Sequence, residues 1–181
     1  MNKFNRRHFV QIAALGTGGL CLLPRCTTPT MQWRFLTNSE ALTLDSVAEQ
    51  IIPTDEWPGG RDSGVTNFID KQLIGPYMRF QPKYRKGIAA LQETCKTRYK
   101  KKFEELSWDD QTNLLEEMEA GKMKEAFWKD GFDKEFFKMV RDHTMQAYYG
   151  SPIHGGNKNK ISYKMIKLDY PLIIGQNRYT S

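Results

Sequence analysis

A reactive centre in this 181-residue chain would have to draw on three histidines, three cysteines and its acidic side chains. His8 lies in an apolar N-terminal leader, His143 in a helical stretch, and His154 in the turn-rich run Ser151-Pro152-Ile153-His154-Gly155-Gly156-Asn157. No His-x-x-x-His or Glu-x-x-His spacing occurs, so no helix face presents two metal ligands in register. His143 reads as a polar flank of its helix rather than a base. Asp55 and Glu56 follow Pro53 and could form an acid–base pair, but acids are common wherever a turn closes a helix. Haem attachment would need Cys-x-x-Cys-His, which is missing. The glycine-rich run Gly16-Thr17-Gly18-Gly19 belongs to the leader, not to a phosphate-binding turn. Cys95 falls on an apolar helical stripe and reads as a small buried hydrophobe. The residues therefore assign no catalytic, cofactor-binding or metal-ligating side chain.

The leader is more informative. Arg6-Arg7-His8-Phe9 opens a short apolar run, Ile12 to Leu23, which Pro24 and Arg25 end. A membrane span needs about 20 apolar residues, and this run is shorter and rich in glycine. With Phe9 two residues after Arg7, the pattern resembles a twin-arginine export signal, whose pathway carries folded proteins into the periplasm. An ordinary secretory signal with a chance Arg-Arg is the plainer alternative. Cys21 and Cys26 raise a lipid anchor as another, although Leu20 and Arg25 precede them instead of small residues. The expected division is a signal over 1–26, a linker over 27–36 and one domain over 37–181.

Without the leader, residues 27–181 keep 23 basic and 21 acidic groups, a net charge of +2. So balanced a chain gives no sign of a nucleic-acid partner, and Lys100-Lys101-Lys102 reads as the solvated face of a helix. Cys95 alone would remain, which leaves no intrachain disulfide. About 150 residues are enough for one domain with its own core.

The elements that would carry these residues read as helices throughout. Thr37 and Glu40 form a capping box. Leu44, Val47, Ala48, Ile51 and Ile52 then follow at helical spacing up to Pro53. Thr54 to Gly60 is a loop. A second helix starts at Asp62 or Ser63, carries Val65, Phe68, Ile69 and Leu73 inward, and ends at Gly75-Pro76. Tyr84, Ile88, Leu91, Cys95, Tyr99, Phe103 and Leu106 predict a long helix over 82–106. Ser107 caps the next, with Leu114, Leu115 and Met118 inward and Gly121 as its break. Lys122–Lys129 adds a turn or two. Asp133 caps the last, which buries Phe136, Phe137, Val140, Thr144, Ala147 and Tyr148. No strand alternation is present. The expectation is an all-α domain of about five helices with a loop-rich C-terminal tail.

With these pieces placed, the chain resembles the gluconate 2-dehydrogenase subunit 3 family. Three places carry the likeness: the twin-arginine leader; Ala48-Glu49-Gln50-Ile51-Ile52-Pro53-Thr54-Asp55 with Pro58-Gly59-Gly60, Gly64-Val65 and Phe68-Ile69-Asp70; and Tyr148-Tyr149-Gly150-Ser151-Pro152 running into Gly155-Gly156-Asn157. The end departs from the family pattern, with Tyr163 where tryptophan is usual and Lys167-Leu168-Asp169-Tyr170-Pro171 in place of a glycine-rich run. The resemblance implies a small subunit with no cofactor of its own. It would pair with a large FAD-binding dehydrogenase of the glucose–methanol–choline type and supply that partner's export signal through the twin-arginine machinery. A cytochrome c subunit carrying haem c, or another acceptor, would take the electrons.

Two other readings stay open. One is a stand-alone periplasmic or lipid-anchored protein that binds a sugar or an envelope ligand. The other is an enzyme in its own right. The residues expected at a partner interface are Pro53, Trp57, Gly59, Tyr148, Tyr149, Gly155, Gly156 and Asn157. Prolines there limit backbone freedom, glycines permit close approach, and the aromatics supply anchors. The two segments that bear them should touch the partner or each other; the plain alternative is that each only caps its helix.

Overall fold

The computed structural model describes residues 33–168. The signal residues Arg6, Arg7 and Phe9, together with Cys21, Cys26 and Asp169-Tyr170-Pro171, lie outside the described residues. Within them the chain is all-α: α1 (Asn38–Ile51), α2 (Val65–Leu73), α3 (Gln81–Tyr99), α4 (Trp108–Glu119), α5 (Phe132–Tyr149) and α6 (Ile161–Met165), joined by loops and single 3₁₀ turns. α5 is the centre of the packing and touches each of the other five helices. Its inward face carries Phe136, Phe137, Val140, Thr144, Ala147 and Tyr148, as the spacing predicts. That stripe shares one buried apolar core with Leu44, Ile69, Leu91 and Leu114 of the other helices, and removal of this core from water is the main stabilising term.

Local signals account for several boundaries. Thr37 and Glu40 make the reciprocal capping box at the start of α1. Ser107 accepts from the Asp110 amide at 3.2 Å and starts α4. These bonds satisfy amides that have no partner inside the helix.

Three boundaries differ from the expectation, each for a physical reason, and one helix is added. α2 begins at Val65 because residues 61–64 turn first, with Gly64 in the left-handed region at φ +81°. The helix expected over 82–106 stops at Tyr99, where Lys100 takes φ +58°. The chain then doubles back, so that Phe103 is wholly buried in a short turn. Gln92 accepts the Phe103 amide at 3.1 Å and Gln111 donates to its carbonyl at 2.8 Å. Lys100, Lys101 and Lys102 are exposed on this turn and not on a helix face. Asp133 is not the cap of α5. Gly131 precedes the helix, and Asp133 is buried in the first turn, where its carboxylate accepts the Met123 amide at 3.1 Å. The tail holds a short sixth helix, α6.

Part of the expected linker is also ordered against the domain. Asp70 of α2 accepts the amides of Arg34, Phe35 and Leu36 at 2.8, 2.9 and 2.9 Å. Arg85 pairs with Glu40 and lies 4.1 Å over the Phe35 ring. The segment leading into α1 is thus fastened to α2 and α3 from residue 34 onward.

Candidate functional site

The loop after α1 is shaped from within. Pro53 ends the helix, and Glu49, one turn earlier, gathers the loop beneath it. Its carboxylate accepts the Thr54 amide at 2.9 Å, the Thr54 hydroxyl at 2.6 Å and the Arg61 amide at 3.1 Å. Thr54 in turn accepts the Gly59 amide at 3.0 Å. Asp55 accepts the Trp57 amide at 2.7 Å, which commits its carboxylate to the turn instead of to an acid–base pair with Glu56. Gly60 lies against α1 so closely that a Cβ there would sit 2.3 Å from the Ala48 carbonyl oxygen.

The segment after α5 is built in the same way. A Cβ on Gly156 would lie 2.3 Å from the Ala147 carbonyl oxygen. Asn157 is wholly buried, takes φ +46°, donates to the Gly150 carbonyl at 2.8 Å and accepts the Ser162 amide at 3.0 Å. It thereby fixes both the exit from α5 and the entry to α6. Asparagine suits the place because its short side chain tolerates the left-handed region while it bonds to nearby backbone.

These two segments, about 90 residues apart in sequence, are joined. The Tyr148 hydroxyl donates to the Pro58 carbonyl at 2.9 Å. The Lys158 amide donates to the Ser63 carbonyl at 2.9 Å. Asn67 donates to the Gly155 carbonyl at 2.7 Å, and Lys71 to the Ile153 carbonyl at 3.0 Å. Burial pushes the Tyr148 phenol above its ordinary range, reinforced by the nearby Tyr149, Asp55 and Glu49, so it is a neutral donor at physiological pH.

Of the eight residues expected at a partner surface, four are consumed inside the chain: Gly59, Tyr148, Gly156 and Asn157 are buried. They hold the junction together and offer no anchor outward. Pro53 and Tyr149 are exposed, while Trp57 and Gly155 are half-buried. Ile153, at 67 % exposure, and His154 stand beside them, and sequence reasoning did not single out Ile153.

No group of three His, Cys, Asp or Glu side chains that could hold a metal occurs among the described residues. The glycine pair is a poor phosphate cradle. A Cβ on Gly59 would meet the Ile52 carbonyl and the Glu49 carboxylate at 2.6 and 2.7 Å, so oxygen faces the place a phosphate would need. Cys95 is wholly buried and its thiol is pushed up to about 12, chiefly by burial, which makes it unreactive. His143 is not a polar flank: it is buried among Tyr77, Phe80 and Tyr84. No described helix is long and apolar enough to cross a membrane.

No curated protein and no solved structure matches the chain. The family model described as gluconate 2-dehydrogenase subunit 3 matches residues 38–169. That span runs from the start of α1 past α6 and includes both joined segments. The chain belongs to the gluconate 2-dehydrogenase subunit 3 family.

Proposed function

We propose that the chain is the non-catalytic small subunit of a periplasmic FAD-dependent sugar or sugar-acid dehydrogenase. Its partner is a large flavoprotein of the glucose–methanol–choline type, which holds the FAD and oxidises the substrate. The small subunit supplies the twin-arginine signal and stabilises the flavoprotein through assembly and export. A cytochrome c subunit with haem c takes the electrons onward.

The observation that carries this reading is the junction itself. The two segments that give the chain its family likeness are spent on holding one another, not on gathering reactive groups. Around them stand exposed or half-exposed Pro53, Trp57, Tyr149 and Ile153, a rigid aromatic and apolar set of the kind that anchors protein interfaces. FAD fits the partner better than this chain, because Gly59 and Gly60 face carbonyl and carboxylate oxygens.

Recovery of the tagged chain from its own periplasm tests the reading. A yellow large subunit should co-purify. Trp57→Ala and Tyr149→Ala should each weaken that association by about 1–3 kcal/mol, with helical content unchanged by circular dichroism. A colourless monomer that binds a sugar would favour the stand-alone binding protein, and turnover by the purified chain alone would favour an enzyme.

A further inference from the structure

A second feature lies on the other side of α5, where α3 and the turn before it (Met78–Phe80) meet the helix. They enclose an open cleft of about 450 Å³. Tyr77 and Phe80 form its aromatic wall, Met139 adds apolar surface, and His143 lies at its base. The imidazole is held on two sides. Tyr77 stacks on its face with ring centroids 4.1 Å apart, and the wholly buried Tyr84 places its hydroxyl 2.9 Å from Nδ1.

That hydrogen bond settles where the imidazole proton sits. Tyr84 has no other hydrogen-bond partner among the described residues. If Nδ1 carried the proton, the phenolic hydrogen would be buried without an acceptor, a costly arrangement. Tyr84 therefore donates to Nδ1, and the proton is on Nε2. Nε2 has no hydrogen bond within the described residues, and it is not sealed from solvent as the buried hydroxyls of Thr144 and Ser162 are. A neutral N–H donor on a side chain only 5 % exposed thus opens on the cleft. Burial holds the imidazole neutral by lowering its pKa to about 4.

The charges around the rim leave one cation over. Lys83 pairs with Glu135, and Lys138 with Asp142 at 2.6 Å. Arg79 has no ion pair among the described residues; its guanidinium lies 4.6 Å over the Phe80 ring. The cleft therefore combines one uncompensated positive charge, one fixed N–H donor and an aromatic wall.

We infer that this cleft is a subsite for a carboxylate borne on a planar apolar body, with the carboxylate between the Arg79 guanidinium and His143 Nε2–H and the apolar part against Tyr77 and Phe80. The carboxylate belongs either to a free aromatic acid or to a C-terminal aromatic residue of the partner subunit. The subsite itself does not depend on the proposed function; only its second source, the partner subunit, rests on that reading.

Benzoate is the probe and benzamide its uncharged counterpart. The full-length chain, labelled with ¹⁵N-histidine, is titrated with each. The His143 signal is assigned by its loss in His143→Gln. Benzoate should shift the His143 Nε2 resonance saturably while His8 and His154 stay in place, and benzamide should bind at least about tenfold more weakly. Arg79→Gln, an exposed change that leaves the core intact, should weaken benzoate about tenfold, the loss of one charge-assisted bond. Persistence of binding in the complex with the flavoprotein identifies a free acid. Exclusion of benzoate there, with Arg79→Gln weakening co-purification, identifies a partner carboxylate. An unmoved His143 signal, or equal response to benzoate and benzamide, would overturn the inference.

Discussion

The loop junction and the aromatic cleft both rest on α5, yet they spend their polar groups in opposite ways. At the junction, Tyr148, Asn157, Asn67 and Glu49 point their hydrogen bonds at backbone within the same chain. At the cleft, Tyr84 uses its hydroxyl to orient His143, and the other imidazole nitrogen is left without a partner among the described residues. The first arrangement resembles a clasp; the second holds a donor ready for something else. Motif residues with a distinctive spacing turn out to be the structural ones, while the group best placed to meet a ligand stands outside every motif. The contrast separates what keeps this chain's shape from what the shape can present.

The clasp is the part most sensitive to substitution. Gly60→Ala and Gly156→Ala each put a methyl group 2.3 Å from a backbone carbonyl oxygen, and neither carbonyl can retreat without disturbing its helix. Each should cost about 3 kcal/mol, the upper end of overpacking effects, read as a lowered urea midpoint with an unchanged slope. Wild-type stability in either variant would mean that the junction is loose.

The cleft should show itself through pH. His143 has a pKa of about 4 in the folded chain against 6.5 ordinarily. Between those values the unfolded chain binds more protons than the folded one, so stability falls as the pH falls from about 6.5 to 4. No contribution from this group is expected above that window. The shift corresponds to about 3 kcal/mol. His143→Gln should flatten that part of the pH–stability curve, measured by urea unfolding at each pH. An unchanged slope in the variant would place the titration on another group.

A smaller change sharpens the same contrast. Tyr148→Phe removes the bond to Pro58 and leaves the ring in place. It should cost about 1 kcal/mol, the usual net value of one hydrogen bond. Amide exchange should rise over residues 54–60 and 155–162 and remain unchanged at the cleft. A uniform rise across the domain would mean that the clasp is not a local device.

Much of the fold was legible because its signals are local. The Thr37/Glu40 box, Ser107 and the apolar stripes lie within a few residues of the structure they make. The helix expected to reach residue 106 stops at Tyr99 because Phe103 continues the helical spacing yet is buried by a turn that Gln92 of α3 itself and Gln111 of α4 secure. Asp70 and His143 were illegible for a related reason: their partners are residues 34–36 and Tyr84, tens of residues away. Of the residues expected at the interface, Tyr148 and Asn157 bond within the chain. The sequence pattern could not tell that their bonds turn inward, because a buried aromatic and an anchoring one are the same residue type.

The central claim, that this chain escorts a flavoprotein to the periplasm, is tested most directly by replacing Arg6 and Arg7 together with lysine and fractionating the cells. Both this chain and its flavoprotein should then stay in the cytoplasm, and periplasmic dehydrogenase activity should be lost. Arrival of the flavoprotein in the periplasm at the wild-type level, with this chain held back, would contradict it.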